Sequence, residues 1–316
     1  MRILITGADG FIGRALVQRL LASDVLPGLG DAERELILLD HRFAVLDDHP
    51  RVRAILGDIA DPDRLAEAID TGVDRVFHLA SVPGGAAESD FELGMRANLH
   101  ATLAILEVLR RQPRPARVVF ASTIGVYGVP MPERIDESTI PAPTLSYGAQ
   151  KLMGEILVTD YSRHGFIDGR SLRLPGIVAR PDGSGMLSAF LSEIIRALSF
   201  GGRFTCPVSE QGMSWWMSRA CVVDNLLHAA ALEPQALRGQ RVFLLPVLHA
   251  SFGEVVAAIA RSHGRDVLSR VTYQPNAALQ AQFASYPPLE CPRSVAAGFK
   301  HDGSLDALVR RALDGP

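Results

Sequence analysis

A phenol and an ammonium stand four residues apart in Tyr147-Gly148-Ala149-Gln150-Lys151. On a helix that spacing sets both side chains on one face. A phenol with an ordinary pKa of about 10 is a poor base at neutral pH, and a neighbouring cation stabilises its phenolate and lowers that value. The pair is therefore suited to taking a proton from an alcohol. Ser122-Thr123 closes an apolar run upstream. A hydroxyl there can face the same pocket and orient a substrate oxygen, so Ser122 and Thr123 are read with Tyr147 and Lys151 as catalytic and substrate-binding.

Near the start, Thr6-Gly7-Ala8-Asp9-Gly10-Phe11-Ile12-Gly13 spaces three glycines between an apolar run and a helical pattern. Gly7 lets the chain turn off a strand, Gly10 lets backbone N–H groups approach a pyrophosphate, and Gly13 lets the helix pack closely with its positive end toward the phosphates. Asp40 ends the next apolar run. A carboxylate there accepts from both adenosine ribose hydroxyls and repels a 2′-phosphate, which favours NAD over NADP. A solvated loop aspartate is the plain alternative, and Arg42 two residues on could attract a phosphate instead. Asp58, and then Leu79, Ala80 and Ser81, follow later apolar runs at the sheet edge where open α/β folds bind ligands.

These residues need a scaffold of strands and crossover helices. Short apolar runs at residues 2–6, 36–39, 52–56, 73–79, 118–121 and 171–174 read as strands, and helical patterns at 12–21, 62–69, 91–111 and 145–162 lie between them. A polar stretch at 24–34 reads as a loop. Buried strands joined by helices make a parallel sheet covered on both faces. The expected fold is α/β: a doubly wound parallel Rossmann sheet with a smaller, interleaved C-terminal substrate lobe. Residues 1–175 form the NAD-binding domain, with 220–248 returning to it, and residues 176–219 and 249–316 form the lobe. Within the lobe a loop is expected at 181–185, and Trp215-Trp216 reads as core or interface packing.

Composition limits the partners. Among 316 residues, 47% are hydrophobic and 21% charged, with 32 Lys and Arg against 35 Asp and Glu for a net charge of −3. The charges are spread rather than blocked, so no footprint for nucleic acid exists. Cys206, Cys221 and Cys291 are odd in number and far apart, which argues for reduced buried thiols and against a metal site or disulfide framework. The charge-poor stretch 271–289 is broken by Pro275, Pro287 and Pro288, so nothing is expected to cross a membrane. A strand beginning at Arg2 leaves no room for a leader, and a cytoplasmic protein is expected.

In combination, the glycine loop, Ser122-Thr123, Gly125-Val126-Tyr127-Gly128 and the Tyr147–Lys151 pair resemble the extended short-chain dehydrogenase/reductase family, over nearly the whole chain. The resemblance implies that Thr123 is the catalytic hydroxyl, Tyr147 the base, Lys151 its lysine and Asn98 a supporting asparagine. It implies cofactor contacts from Phe11, Ile12, Asp58, Ile59, Leu79, Leu174 and Pro175, although Pro175 serves equally well as a strand stop. It also implies a homodimer through the helices carrying Asn98 and Tyr147.

The His-Val-x-Asp segment usual in nucleotide-sugar members is missing between Trp215 and His228. Residues 90–95, 146–151, 161–170 and 206–208 are instead similar to NAD-dependent dehydrogenases that oxidise the C2 hydroxyl of a four-carbon sugar acid, D-erythronate. That group has Ser-Pro-Arg where this chain has Ser218-Arg219-Ala220, so Arg219 or Arg180 is the expected partner of a substrate carboxylate. A surface cation is the alternative for each. A nucleotide-sugar epimerase or dehydratase and a non-catalytic NAD-sensing protein remain as alternative functions.

Overall fold

Ile3, Leu4 and Ile5 are fully buried, and the strand they form, β1 (Arg2–Thr6), is flanked on both sides. The other strands of its sheet are β2 (Glu35–Asp40), β3 (Val52–Leu56), β4 (Arg75–His78), β5 (Ala116–Thr123), β6 (Ile167–Leu174) and β7 (Val242–Leu244), in the spatial order β7-β6-β5-β4-β1-β2-β3. The β1–β2, β2–β3, β1–β4 and β4–β5 pairs are parallel. Strand order reverses between β1 and β4, and this switch point brings Thr6 beside His78 in register. Open α/β sheets bind their ligands at the carboxyl edge of such a point. The computed structural model describes residues 1–22, 34–44, 49–181 and 187–313. The loop expected at 24–34, apart from Arg34, and most of that expected at 181–185 lie outside the described residues.

Helices Ala101–Leu109 and Ser146–Arg163 cover one face of this sheet, where Ala101, Ile105, Leu109 and Val158 pack with Leu4, Val76, Val118 and Phe120. Where the pattern suggests one helix over 91–111, the structure has a short helix Phe91–Gly94, a π-helical turn Met95–His100 and then Ala101–Leu109. A π turn carries one more residue than an α turn and recurs at functional sites. Asn98 sits inside it.

The chain packs as two compact units. The first comprises Met1–Val126, Leu145–Arg173 and Val223–Phe243; the second comprises Tyr127–Thr144, Leu174–Val222 and Leu244–Pro316. Residues 127–144, which the strand pattern counts with the first 175, pack with the second unit. That unit has its own core, in which Phe190, Ile194, Trp216, Phe252, Val255 and Leu308 are buried together. Trp215 and Trp216 are both inaccessible, and their indole N–H groups donate to the carbonyls of Pro287 (2.8 Å) and Ala250 (2.9 Å). They are packing residues. The three cysteines are buried free thiols, and burial raises Cys206 to about 11 and Cys291 to about 12. Among the described residues no helix is long and apolar enough to cross a membrane.

Candidate active site

The glycine loop connects β1 to helix Phe11–Leu21. Gly7 adopts φ +70°, and a Cβ there would stand 2.7 Å from the Ala80 nitrogen, so only glycine lets the loop lie against the segment following β4. A Cβ on Gly13 would lie 2.1 Å from the Gly7 carbonyl oxygen, so the helix meets the loop only because that side chain is absent. No side chain caps the helix start at Gly10. The outcome is a backbone cradle with helix N–H groups at its mouth, which suits a pyrophosphate. Phe11 and Ile12 open the helix.

Asp40 is buried at the end of β2. Its Oδ2 accepts from the Asp9 amide at 2.9 Å and its Oδ1 lies 2.8 Å from His41 Nδ1. A carboxylate has about four acceptor positions, so two contacts leave capacity for ribose hydroxyls. Asp58 follows β3, accepts from the Ala60 amide at 2.9 Å and lies 3.6 Å from Arg96, while Ile59 joins the core beneath. The Leu79 and Ala80 amides are held by Thr6, at 3.1 Å to its carbonyl and 3.4 Å to its hydroxyl, and Ser81 is exposed. This cradle and donor set fit a dinucleotide with free ribose hydroxyls.

Tyr147 lies in the first turn of helix Ser146–Arg163. A Cβ placed on Gly125 would stand 3.3 Å from Thr123 Oγ1 and 3.9 Å from Tyr147 Cδ1, so the threonine hydroxyl and the phenol ring flank the same backbone. Lys151 is almost wholly buried, its ammonium 4.8 Å from the centre of the Phe120 ring and 5.9 Å from that of Tyr147. Burial lowers its pKa to about 7. Thr123, Tyr147 and Lys151 are thus brought together.

Asn98 is fully buried and fastens three elements. Its Oδ1 accepts from the Val82 amide (2.8 Å), and its Nδ2 donates to the Val82 carbonyl (3.1 Å) and to Gln150 Oε1 (2.7 Å). Gln150 directly precedes Lys151. Asn98 therefore ties the segment after β4 to helix Ser146–Arg163 through the π turn. Beneath it, Thr102 Oγ1 donates to the Asn98 carbonyl (2.8 Å), His78 Nε2 meets Thr102 Oγ1 (2.9 Å) and His78 Nδ1 meets Thr6 Oγ1 (2.8 Å). Because the Thr102 hydrogen goes to Asn98, Nε2 must carry the imidazole proton and Thr6 must donate to Nδ1. Burial and the nearby Lys151 charge lower His78 to about 3, so it stays neutral. The sequence reading gave no role to His78, Thr6, Thr102 or Gln150; a lone histidine in the apolar run Arg75–His78 is the one signal pointing to this chain of bonds.

Ser122 differs from its expected place. Successive residues of a strand face opposite ways, and Ser122 is buried with its hydroxyl donating to Glu155 Oε1 at 2.5 Å. Glu155 in turn pairs with Arg173 at 2.7 Å. Ser122 is therefore engaged behind the strand, and Thr123 is left to face Tyr147. A cavity of about 400 Å³ lined by Leu152, Glu155, Ile156, Arg173 and Val242, among others, also lies along this far flank of helix Ser146–Arg163. Leu174 ends β6 and Pro175 follows it, both buried in the second unit. Arg180 and Arg219 belong to that unit too. Arg219 opens helix Arg219–Ala231 and is largely buried, which lowers its pKa, and Arg180 follows Ala179, whose φ is +62°.

A 3-2-1-4-5-6 strand order with a glycine cradle at the switch point defines a Rossmann-type dinucleotide-binding protein, and Thr123, Tyr147 and Lys151 stand together in the same unit. The chain matches the NAD-dependent epimerase/dehydratase family over residues 3–217, and it belongs to that family. NAD is its cofactor. It is 39% identical to a D-erythronate dehydrogenase of Cupriavidus necator over 318 residues, covering 99% of this chain and 98% of that one. A D-erythronate dehydrogenase of Haemophilus influenzae is 33% identical over 317 residues, with 99% of each chain covered. Among solved structures, a nucleoside-diphosphate-sugar epimerase of Agrobacterium tumefaciens superposes with a TM-score of 0.89 at 32% identity, covering 98% of this chain and 92% of that one.

Proposed function

We propose that the protein is an NAD-dependent dehydrogenase that oxidises the C2 hydroxyl of a small sugar acid, D-erythronate or a close relative. The observation that carries this reading is the end-to-end identity with two D-erythronate dehydrogenases in a chain that holds Thr123, Tyr147 and Lys151 side by side. When bound, NAD supplies an acceptor for the hydride leaving the alcohol carbon. Gly7, Gly10, Gly13, Asp40, Asp58, Leu79 and Ala80 are the residues assigned to hold it, with the first unit as its domain and the second as the substrate's.

Removing one proton from the Tyr147–Lys151 pair leaves either phenolate beside ammonium or phenol beside amine. The first form is the base that draws the alcohol proton. Burial draws the Lys151 ammonium down to about 7, so near neutrality this side chain can pass between ammonium and amine beside the phenol. Thr123 holds the substrate oxygen, and Asn98 keeps the catalytic helix and the Val82 segment in fixed relation. The acid's carboxylate is assigned to a guanidinium of the second unit, Arg219 or Arg180, because the planar fork binds carboxylates bidentately.

Leu103, Met153 and Ile156 are exposed apolar residues on the helices Ala101–Leu109 and Ser146–Arg163, which supports pairing of two copies through these helices. Free thiols support a reducing cytoplasm. The Agrobacterium likeness favours the second reading, a nucleotide-sugar epimerase. NADH absorbance with D-erythronate, other aldonic acids and sugar nucleotides tests both. NADH formation with the free acids supports the dehydrogenase, and faster turnover of sugar nucleotides than of any acid overturns it.

A further inference from the structure

Asp9, inside the glycine loop, is buried although it is charged, with 4% of its side chain exposed. Its backbone amide is the group that holds Asp40 Oδ2. Its carboxylate is gripped by Arg14, whose Nε donates to Oδ1 and whose Nη2 donates to Oδ2, both at 2.9 Å, and the Ala44 amide approaches both oxygens at 3.3 Å. Arg14 Nε also donates to the Asp9 carbonyl at 2.9 Å. A forked guanidinium beside a backbone N–H is the donor set that proteins use for phosphate. Asp9 links it to the carboxylate assigned to the adenosine ribose, which its own amide holds at 2.9 Å.

We propose that Asp9 is a second determinant of cofactor choice: its carboxylate fills, from within the chain, an anion site made by Arg14 and the Ala44 amide that would otherwise receive the 2′-phosphate of NADP. The inference rests on Asp40 as the ribose partner and adds to it. Asp40 repels the phosphate; Asp9 also occupies its donors. Arg14 is thereby spent on an internal anion, and its guanidinium is not offered to the 2′-phosphate of NADP.

The test measures dissociation constants of NAD and NADP by calorimetry, without turnover. Asp9→Ala releases Arg14 and should tighten NADP binding about 10–100-fold, the worth of charged hydrogen bonds to one phosphate, while moving NAD only a few-fold. Asp9→Ala combined with Arg14→Met should lose that gain. Asp9→Ser gives the same comparison should the alanine variant fold poorly. Unchanged NADP affinity in folded Asp9→Ala or Asp9→Ser overturns the proposal. Persistence of the full gain in the double variant also overturns it, because the effect then comes from lost repulsion alone. Asp40→Ser, measured in parallel, separates the two readings: if NAD affinity ignores that change, the ribose assignment fails whatever Asp9 does.

Discussion

Tyr147 and Lys151 answer to different demands. With Tyr147 as the base proposed above, Tyr147→Phe is expected to keep NAD affinity within a few-fold and lower kcat by about 10²–10⁴-fold, read by calorimetry and initial rates. Lys151 carries a cost to the fold. Its pKa falls from 10.5 to about 7 on burial, so the unfolded chain binds more protons between those values and stability rises with pH across that window. Lys151→Met should therefore abolish turnover yet melt at a higher temperature than the parent at pH 7, with the advantage shrinking toward pH 10. A melting point that drops at pH 7 contradicts this. The glycine triplet, Asp40, Tyr147 and Lys151 were legible in the sequence because each signal is local, a turn, a strand end or one helical turn. Ser122 was not. Alternation shows that Ser122 and Thr123 face opposite ways, but only Glu155 and Arg173, 33 and 51 residues on, reveal which face is which.

At the scale of elements, buried polar contacts decide how helix Ser146–Arg163 meets the sheet. Glu155 on that helix accepts from Ser122 on β5 and pairs with Arg173 on β6, with 3% and 11% of the two charged side chains exposed. Removing one partner of a buried pair leaves the other charge unsolvated, so Glu155→Ala should cost about 3–5 kcal/mol in chemical denaturation. Glu155→Leu combined with Arg173→Met should recover much of the loss, and equal losses in single and double variants would refute the account. The six-strand alternation was readable because buried parallel strands are short apolar runs. The π turn was not readable, since one extra residue between Gly94 and Ala101 leaves the apolar spacing of 101–109 intact. What distinguishes it is the engagement of Asn98 with Val82 and Gln150, contacts made 16 and 52 residues away.

For the molecule as a whole, His78 sets a limit in acid. Its folded value of about 3 lies below the ordinary 6.5, so the unfolded chain binds the extra proton between these values and stability falls as pH drops through that range. The slope from one such group is about 1.4 kcal/mol per pH unit. His78→Gln should be less stable at pH 7 but flatter between pH 6.5 and 3, as followed by denaturant midpoints; an unchanged slope would remove His78 from the explanation. The two units have a different consequence. The chain passes from one to the other five times, and β7 closes the sheet only at Val242–Leu244. During synthesis the ribosome therefore completes neither unit before starting the other. At residue 222 the emerging chain holds six strands of the sheet but not the seventh, and 67 residues of the second unit, Tyr127–Thr144 and Leu174–Val222, are already made. The edge of β6 must wait unpaired, exposed to whatever else the cell offers a bare strand, until about twenty more residues have been translated.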